Sequence, residues 1–89
     1  VSDQYCVTFV VDIRKDYMTE ENLNAIKKQL KEFAETSYIQ CPNLTIALIS
    51  VDRYNFTDSL TNYIGSYNEY DSFCVALNKL RISRATPHN

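Results

Sequence analysis

Two apolar runs set the terms for this chain. The first is YCVTFVVDI at residues 5–13 and the second is LTIALISV at 44–51. Both are short, rich in β-branched residues and apolar on both alternating faces, the signature of strands rather than of buried helices. One amphipathic segment lies between them. Thr19 is placed to cap it, Glu20 and Glu21 suit its first turn, and Leu23, Ile26, Leu30, Phe33 and Ala34 fall on one helical stripe that runs to about Ser37. Lys27, Lys28, Lys31, Glu32 and Glu35 flank that stripe and are expected on a solvated face. A crossover of about 30 residues that contains a helix brings the second strand back parallel to the first, with a right-handed connection.

The rest of the chain adds a strand and a helix. The stretch Asp52-Arg53-Tyr54-Asn55 suits a turn, and Phe56 to about Tyr63 reads as a short return strand antiparallel to the second. Ser66-Tyr67-Asn68-Glu69 matches a capping box, and Tyr70, Phe73, Cys74, Leu77 and Leu80 then repeat at helical spacing to about Ile82. The expected fold is an α/β unit, β-α-β-β-α, in three layers, with a mixed sheet of order 3-2-1. Apolar residues on both faces of the first strand suit cover from two sides. Its outer edge is left open, and an open apolar edge invites pairing. That edge, strand 5–13, is therefore expected to meet a partner chain, a second copy in a homo-oligomer, or further sequence. The alternative is a self-standing small α+β sandwich, similar to ferredoxin-like or SEA-type modules, with a structural or oligomerisation role and no ligand site.

Composition narrows the function classes. Eighty-nine residues make a single domain, or half of one, spanning 1–89. The net charge is −2 and the nine basic residues are scattered, which argues against a nucleic-acid footprint. Apolar runs such as Phe9-Val10-Val11 are short, and the longest, Phe73 to Leu77, is five residues, far short of a membrane insertion. A start at Val1 without Met suggests a processed or excised chain. With one glycine and two prolines, the turns must rely on Asn, Asp and Ser. Cys6, Cys41 and Cys74 are odd in number and widely spaced, without a C-x-x-C, so zinc and thioredoxin-type readings fail. One disulfide with one free thiol, or three buried thiols, are the options, and Cys6 could meet Cys74 if the second helix packs on the face of Cys6. Two glycosylation sequons, at Asn43 and Asn55, combine with the cysteines to suggest an extracellular or cell-surface protein. His88, the single histidine, lies in the tail, a poor support for catalysis. There is no phosphate-cradling glycine loop, and the chain is read as a non-enzyme without a cofactor.

The pattern resembles the first half of a von Willebrand factor A domain. The resemblance rests on an apolar strand ending in Asp12, then the helix EENLNAIKKQLKEF, the strand LTIALISV, a return strand DSLTNYI and the helix YDSFCVALNKL. It covers nearly all 89 residues in order and spacing. It implies a Rossmann-type fold about twice this length, with later strands pairing on the free side of strand one. It also implies an adhesion function and a metal site that begins D-x-S-x-S. Here those positions read Asp12-Ile13-Arg14-Lys15-Asp16, so both serines are replaced. Asp12 and Asp16, with Thr86 as a further ligand, are the candidate Mg²⁺ ligands that the resemblance gives. Arg14 and Lys15 would repel such an ion, and either can instead pair with Asp12 as a fixed cation in the metal's place. Ligands of open α/β sheets bind beyond the carboxyl ends of the strands. Asp12, Arg14, Asp16, Tyr17 and Tyr54 are therefore the expected contacts with a protein partner, since Tyr17 and Tyr54 fall in loops beyond the same strand ends.

Overall fold

The computed structural model describes residues 4–54 and 61–86. Among these it forms a small α+β domain with a three-stranded mixed sheet and two helices. The elements run β1 (Tyr5–Asp12), α1 (Glu20–Gln40), β2 (Leu44–Val51), β3 (Thr61–Tyr67) and α2 (Tyr70–Asn78). The sheet order is β1-β2-β3. β1 and β2 pair parallel from Tyr5↔Leu44 to Asp12↔Val51, as the helical crossover requires. β2 and β3 pair antiparallel, with a register shift at Leu48/Ile49.

The register decides which residues meet. Val7 stands beside Ile46, Phe9 beside Leu48, and Val11 beside Ser50. This face is the core: Leu44, Ile46 and Leu48 of β2 cluster with Val11 and Ile13, with Leu23 and Ala34 of α1, and with Phe73, Ala76 and Leu77 of α2. Phe9 shows where the helices lie, because its ring meets Phe33 of α1 edge-on at 5.5 Å and Phe73 of α2 at 6.3 Å. A strand side chain points to one face only, so both helices pack on the same side of the sheet. The expectation of three layers is thus corrected to two. Cys6, Thr8 and Val10 of β1 and Ser66 of β3 are exposed on the other face, while Thr45, Ile49 and Val51 of β2 are half-buried. Apolar residues on both faces of a strand had suggested cover from two sides. What limits the exposure here is the strands themselves, since Ala47, flanked by Thr8 and Ser66, is buried without a helix above it.

Local chemistry explains the helix starts and one of the misplacements. Thr19 caps α1 as expected, its Oγ1 accepting from the Asn22 amide at 3.1 Å. The helix continues to Gln40, where the Cys41 amide donates to the Ser37 carbonyl. The capping box at Ser66–Glu69 does not form. Ser66 lies in β3 opposite Ala47, and Glu69 is the N-cap of α2 without a side-chain cap bond. Among the described residues β3 runs from Thr61 to Tyr67, four residues past the end expected at Tyr63, and the part of that expectation at 56–60 lies outside the described residues. Pairing with the central strand outweighed a local cap, because each ladder residue satisfies backbone groups that a cap satisfies only at one end. α2 ends at Asn78, four residues before Ile82, and the chain turns away toward β1.

Lys27 departs from its expected solvated face. Its Nζ donates to the Leu80 carbonyl at 2.6 Å and reaches the Asn78 carbonyl at 3.5 Å, which satisfies orphan acceptors at the end of α2. Partial burial pulls its pKa down from the ordinary lysine value, with the nearby Arg81 charge adding to the shift. Tyr38 ties α1 to the sheet, its hydroxyl donating to the Tyr67 carbonyl at 2.6 Å. The three cysteines are free thiols. Cys6 is exposed on the face opposite the helices, so it cannot reach Cys74 on α2, and the pairing envisaged for them is excluded by the layer arrangement.

Gly65 marks the bulge on β3. A Cβ added there would stand 2.5 Å from the Tyr67 hydroxyl oxygen and 2.8 Å from its Cζ. Tyr67 is half-buried and its ring lies 6.3 Å from that of Phe73, so it has little room to withdraw. Gly65→Ala is expected to cost about 1–3 kcal/mol as overpacking. A urea melt in which this variant matches the parent would show that Tyr67 leaves the site freely.

Candidate functional site

The candidate site is built where β1 and β2 end. Ile13 extends the parallel ladder past β1, donating to the Val51 carbonyl at 2.9 Å. Its own carbonyl accepts from the Ser83 amide at 2.7 Å, and Arg14 and Ser83 form an isolated parallel bridge. Ser83 Oγ donates to the Asp52 carbonyl at 2.9 Å and accepts from the Ala85 amide at 3.1 Å. Three loops, after β1, β2 and α2, are therefore stitched together through the amide and hydroxyl of one serine. The Tyr17 and Met18 amides both donate to the Arg14 carbonyl, at 2.9 and 3.0 Å, which folds residues 14–18 into a tight turn.

Arg14 occupies the centre. Its Nε and Nη2 donate to the two carboxylate oxygens of Asp12 at 3.0 and 2.6 Å, a bidentate pair. Its backbone amide also donates to Asp12 Oδ1 at 3.1 Å. The guanidinium carbon lies 4.4 Å from the centre of the Tyr17 ring and 5.2 Å from that of Tyr54. The two rings are 6.4 Å apart at 34°. Tyr54 closes the arrangement by donating its hydroxyl to Asp16 Oδ2 at 2.8 Å. The result is a chain of contacts from Asp12 through Arg14 and the tyrosines to Asp16. The Arg14 side chain is 19% exposed, whereas Tyr17 presents 65% of its surface.

The charges are mutually tuned. The side-chain hydrogen bond from Arg14 holds the Asp12 carboxyl below its ordinary value, against the opposing effect of burial. The same bond raises the Arg14 pKa. Partial desolvation, then the hydrogen bond to Asp16, raises that of Tyr54. Because the folded-state pKa of Asp12 is depressed, its pair stabilises the fold above the unfolded carboxyl value and loses that contribution as pH falls through the folded value. Asp12→Asn is expected to flatten the acid limb of a stability-versus-pH curve below about pH 5. An acid limb of unchanged slope would place the responsible carboxylate elsewhere.

Of the residues expected to form the contact region, the structure brings Asp12, Arg14, Asp16, Tyr17 and Tyr54 into one connected cluster. Arg14 pairs with Asp12, which is one of the alternatives expected for these two residues. The candidate Mg²⁺ set of Asp12, Asp16 and Thr86 does not fit a divalent ion, because both Asp12 oxygens face a guanidinium that carries its own charge. Among the described residues no group of three or more His, Cys, Asp or Glu side chains is assembled as a metal ligand set. Asn43 is exposed just ahead of β2, whereas Asn55 and His88 lie outside the described residues. Among the described residues no helix is long and apolar enough to cross a membrane. Asp52 and Ser83 were not legible as site residues. Each is an ordinary loop residue whose role depends on loops that meet only in three dimensions.

Fold and site together define a small α+β domain whose strand-end loops carry a carboxylate-held arginine beside two tyrosines. Comparison with known proteins matches the chain to no family model and to no curated protein.

Proposed function

We propose that the chain is an extracellular protein-binding module of the von Willebrand A type, built on the first half of that Rossmann-type fold, and that it contacts its partner through the loop at 12–17 together with Tyr54. The observation that carries this reading is the Arg14 cluster at the carboxyl ends of parallel strands. That is where open α/β sheets engage ligands. Tyrosine and arginine are also the residue types that contribute most at interface centres, because they combine apolar area with directed polar groups. The bidentate Asp12–Arg14 pair fixes the loop without an ion, so contact is proposed to be independent of divalent cations. Asn43 and Asn55 are proposed as glycan acceptors of a secreted or cell-surface protein, and no catalytic role is proposed.

The test uses the chain as bait on a panel of secreted and cell-surface ectodomains, with Tyr17→Ser and Asp12→Ala variants in parallel. Binding that survives EDTA and falls by about ten-fold or more in both variants, with unchanged thermal midpoints for Tyr17→Ser, supports the reading. Binding that both variants retain, or that EDTA abolishes, overturns it.

A further inference from the structure

We propose that the outer edge of β1, where the proposed fold would otherwise set its later strands, pairs in this chain antiparallel with β1 of a second copy, making a continuous six-stranded sheet. The ladder tells which groups the sheet leaves unused among the described residues. The Tyr5 amide donates to Asn43 O at 3.3 Å and the Ile13 amide to Val51 O at 2.9 Å, so the odd-numbered residues of β1 face β2. The amides and carbonyls of Cys6, Thr8 and Val10 then point away from the sheet.

The two edges of the sheet are not equivalent. β3 carries the register shift, which twists and interrupts an edge. β1 pairs in unbroken register over eight residues and carries no charge from Tyr5 to Val11, so it lacks the lysines, prolines and bulges that normally block strand addition. Three exposed apolar side chains also lie near this edge: Tyr5 and Val10 on the strand, and Phe33 beside Phe9 on the helix face.

A register centred near the middle of the strand makes the edge self-complementary. Two-fold pairing keeps side chains of one face opposite side chains of the same face, so the paired residue numbers must sum to an even value. Centred on Thr8, the pairs are Thr8 with Thr8, Cys6 with Val10, Val7 with Phe9, Tyr5 with Val11 and Gln4 with Asp12. Every outward amide of Cys6, Thr8 and Val10 then meets a carbonyl. No like charges face each other, and Asp12 meets an amide side chain. The half-buried Val7 and Phe9 close on each other across the axis, under the two exposed Phe33 rings.

The experiment is sedimentation equilibrium of the chain in reductant, where a mass of twice 10.3 kDa is expected. Thr8→Lys sets two ammonium groups face to face on the axis and should weaken the dimer by about ten-fold or more. Thr8 is exposed, so this change leaves the monomer folded. Val10→Cys places a new thiol opposite Cys6 of the second copy, and under oxidised glutathione it should yield a disulfide-linked dimer that the added change Cys6→Ser removes. A monomer throughout overturns the proposal. So does a dimer that Thr8→Lys leaves intact, or a Val10→Cys chain that forms no cross-link through Cys6, since each would place the interface or its register elsewhere.

Discussion

Truncating Phe73 to alanine is expected to cost about 3–5 kcal/mol. The ring is fully buried, and it meets Phe9 of β1 and Tyr67 of β3, so it packs one helix against both outer strands at once. Removing it leaves a cavity lined by residues of three elements, none of which can collapse without moving a strand. A domain of this size has a stability of the same order as that loss, so the variant is expected to be partly unfolded at room temperature. The check is a urea melt followed by far-ultraviolet dichroism. A shift equivalent to less than about 1.5 kcal/mol would mean that the core does not converge on Phe73.

The second large effect separates two adjacent faces of one strand. Ile46 is fully buried under the helices, and Ile46→Ala should cost about 2–5 kcal/mol. Ile49 also lies in β2 but faces the other way, beside Val10 and Tyr63 on the side without helices, and it is only half-buried. Ile49→Ala should cost about 1 kcal/mol. In a three-layer unit both would be core residues with similar costs. The ratio measured by paired denaturant melts therefore tests the two-layer arrangement. Equal losses would show that something covers the open face in solution.

The members of the cluster were legible in the sequence, and their contacts were one of several readings it left open. Asp12 ends an apolar strand, and parallel pairing of β1 with β2 already puts Tyr17 and Tyr54 beyond the same strand ends. That much follows from a helix-containing crossover. Which cation Asp12 would choose did not follow. The spacing Asp12-x-Arg14 allows a bidentate pair, a metal ligand beside a repelled arginine, or two solvated groups, and the turn closed by the Tyr17 and Met18 amides selects the first. The Ser83 contacts bring the chain after α2 alongside Ile13 and Asp52, residues 70 and 31 positions away, and no local signal announces contacts of that separation.

Periodicity alone determined that β1 and β2 run parallel around α1, because an apolar run followed by a helical stripe and a second apolar run has one low-cost, right-handed path. It likewise determined the cap at Thr19, a bond between residues three apart. Only the tertiary structure decided that both helices share a face, that β3 runs on to Tyr67, and that Lys27 closes the end of α2. The physical reason is common to all three. Alternation states which residues are apolar but not which neighbour buries them, and a residue's local preference is worth about 1 kcal/mol, less than the packing and backbone pairing that compete with it.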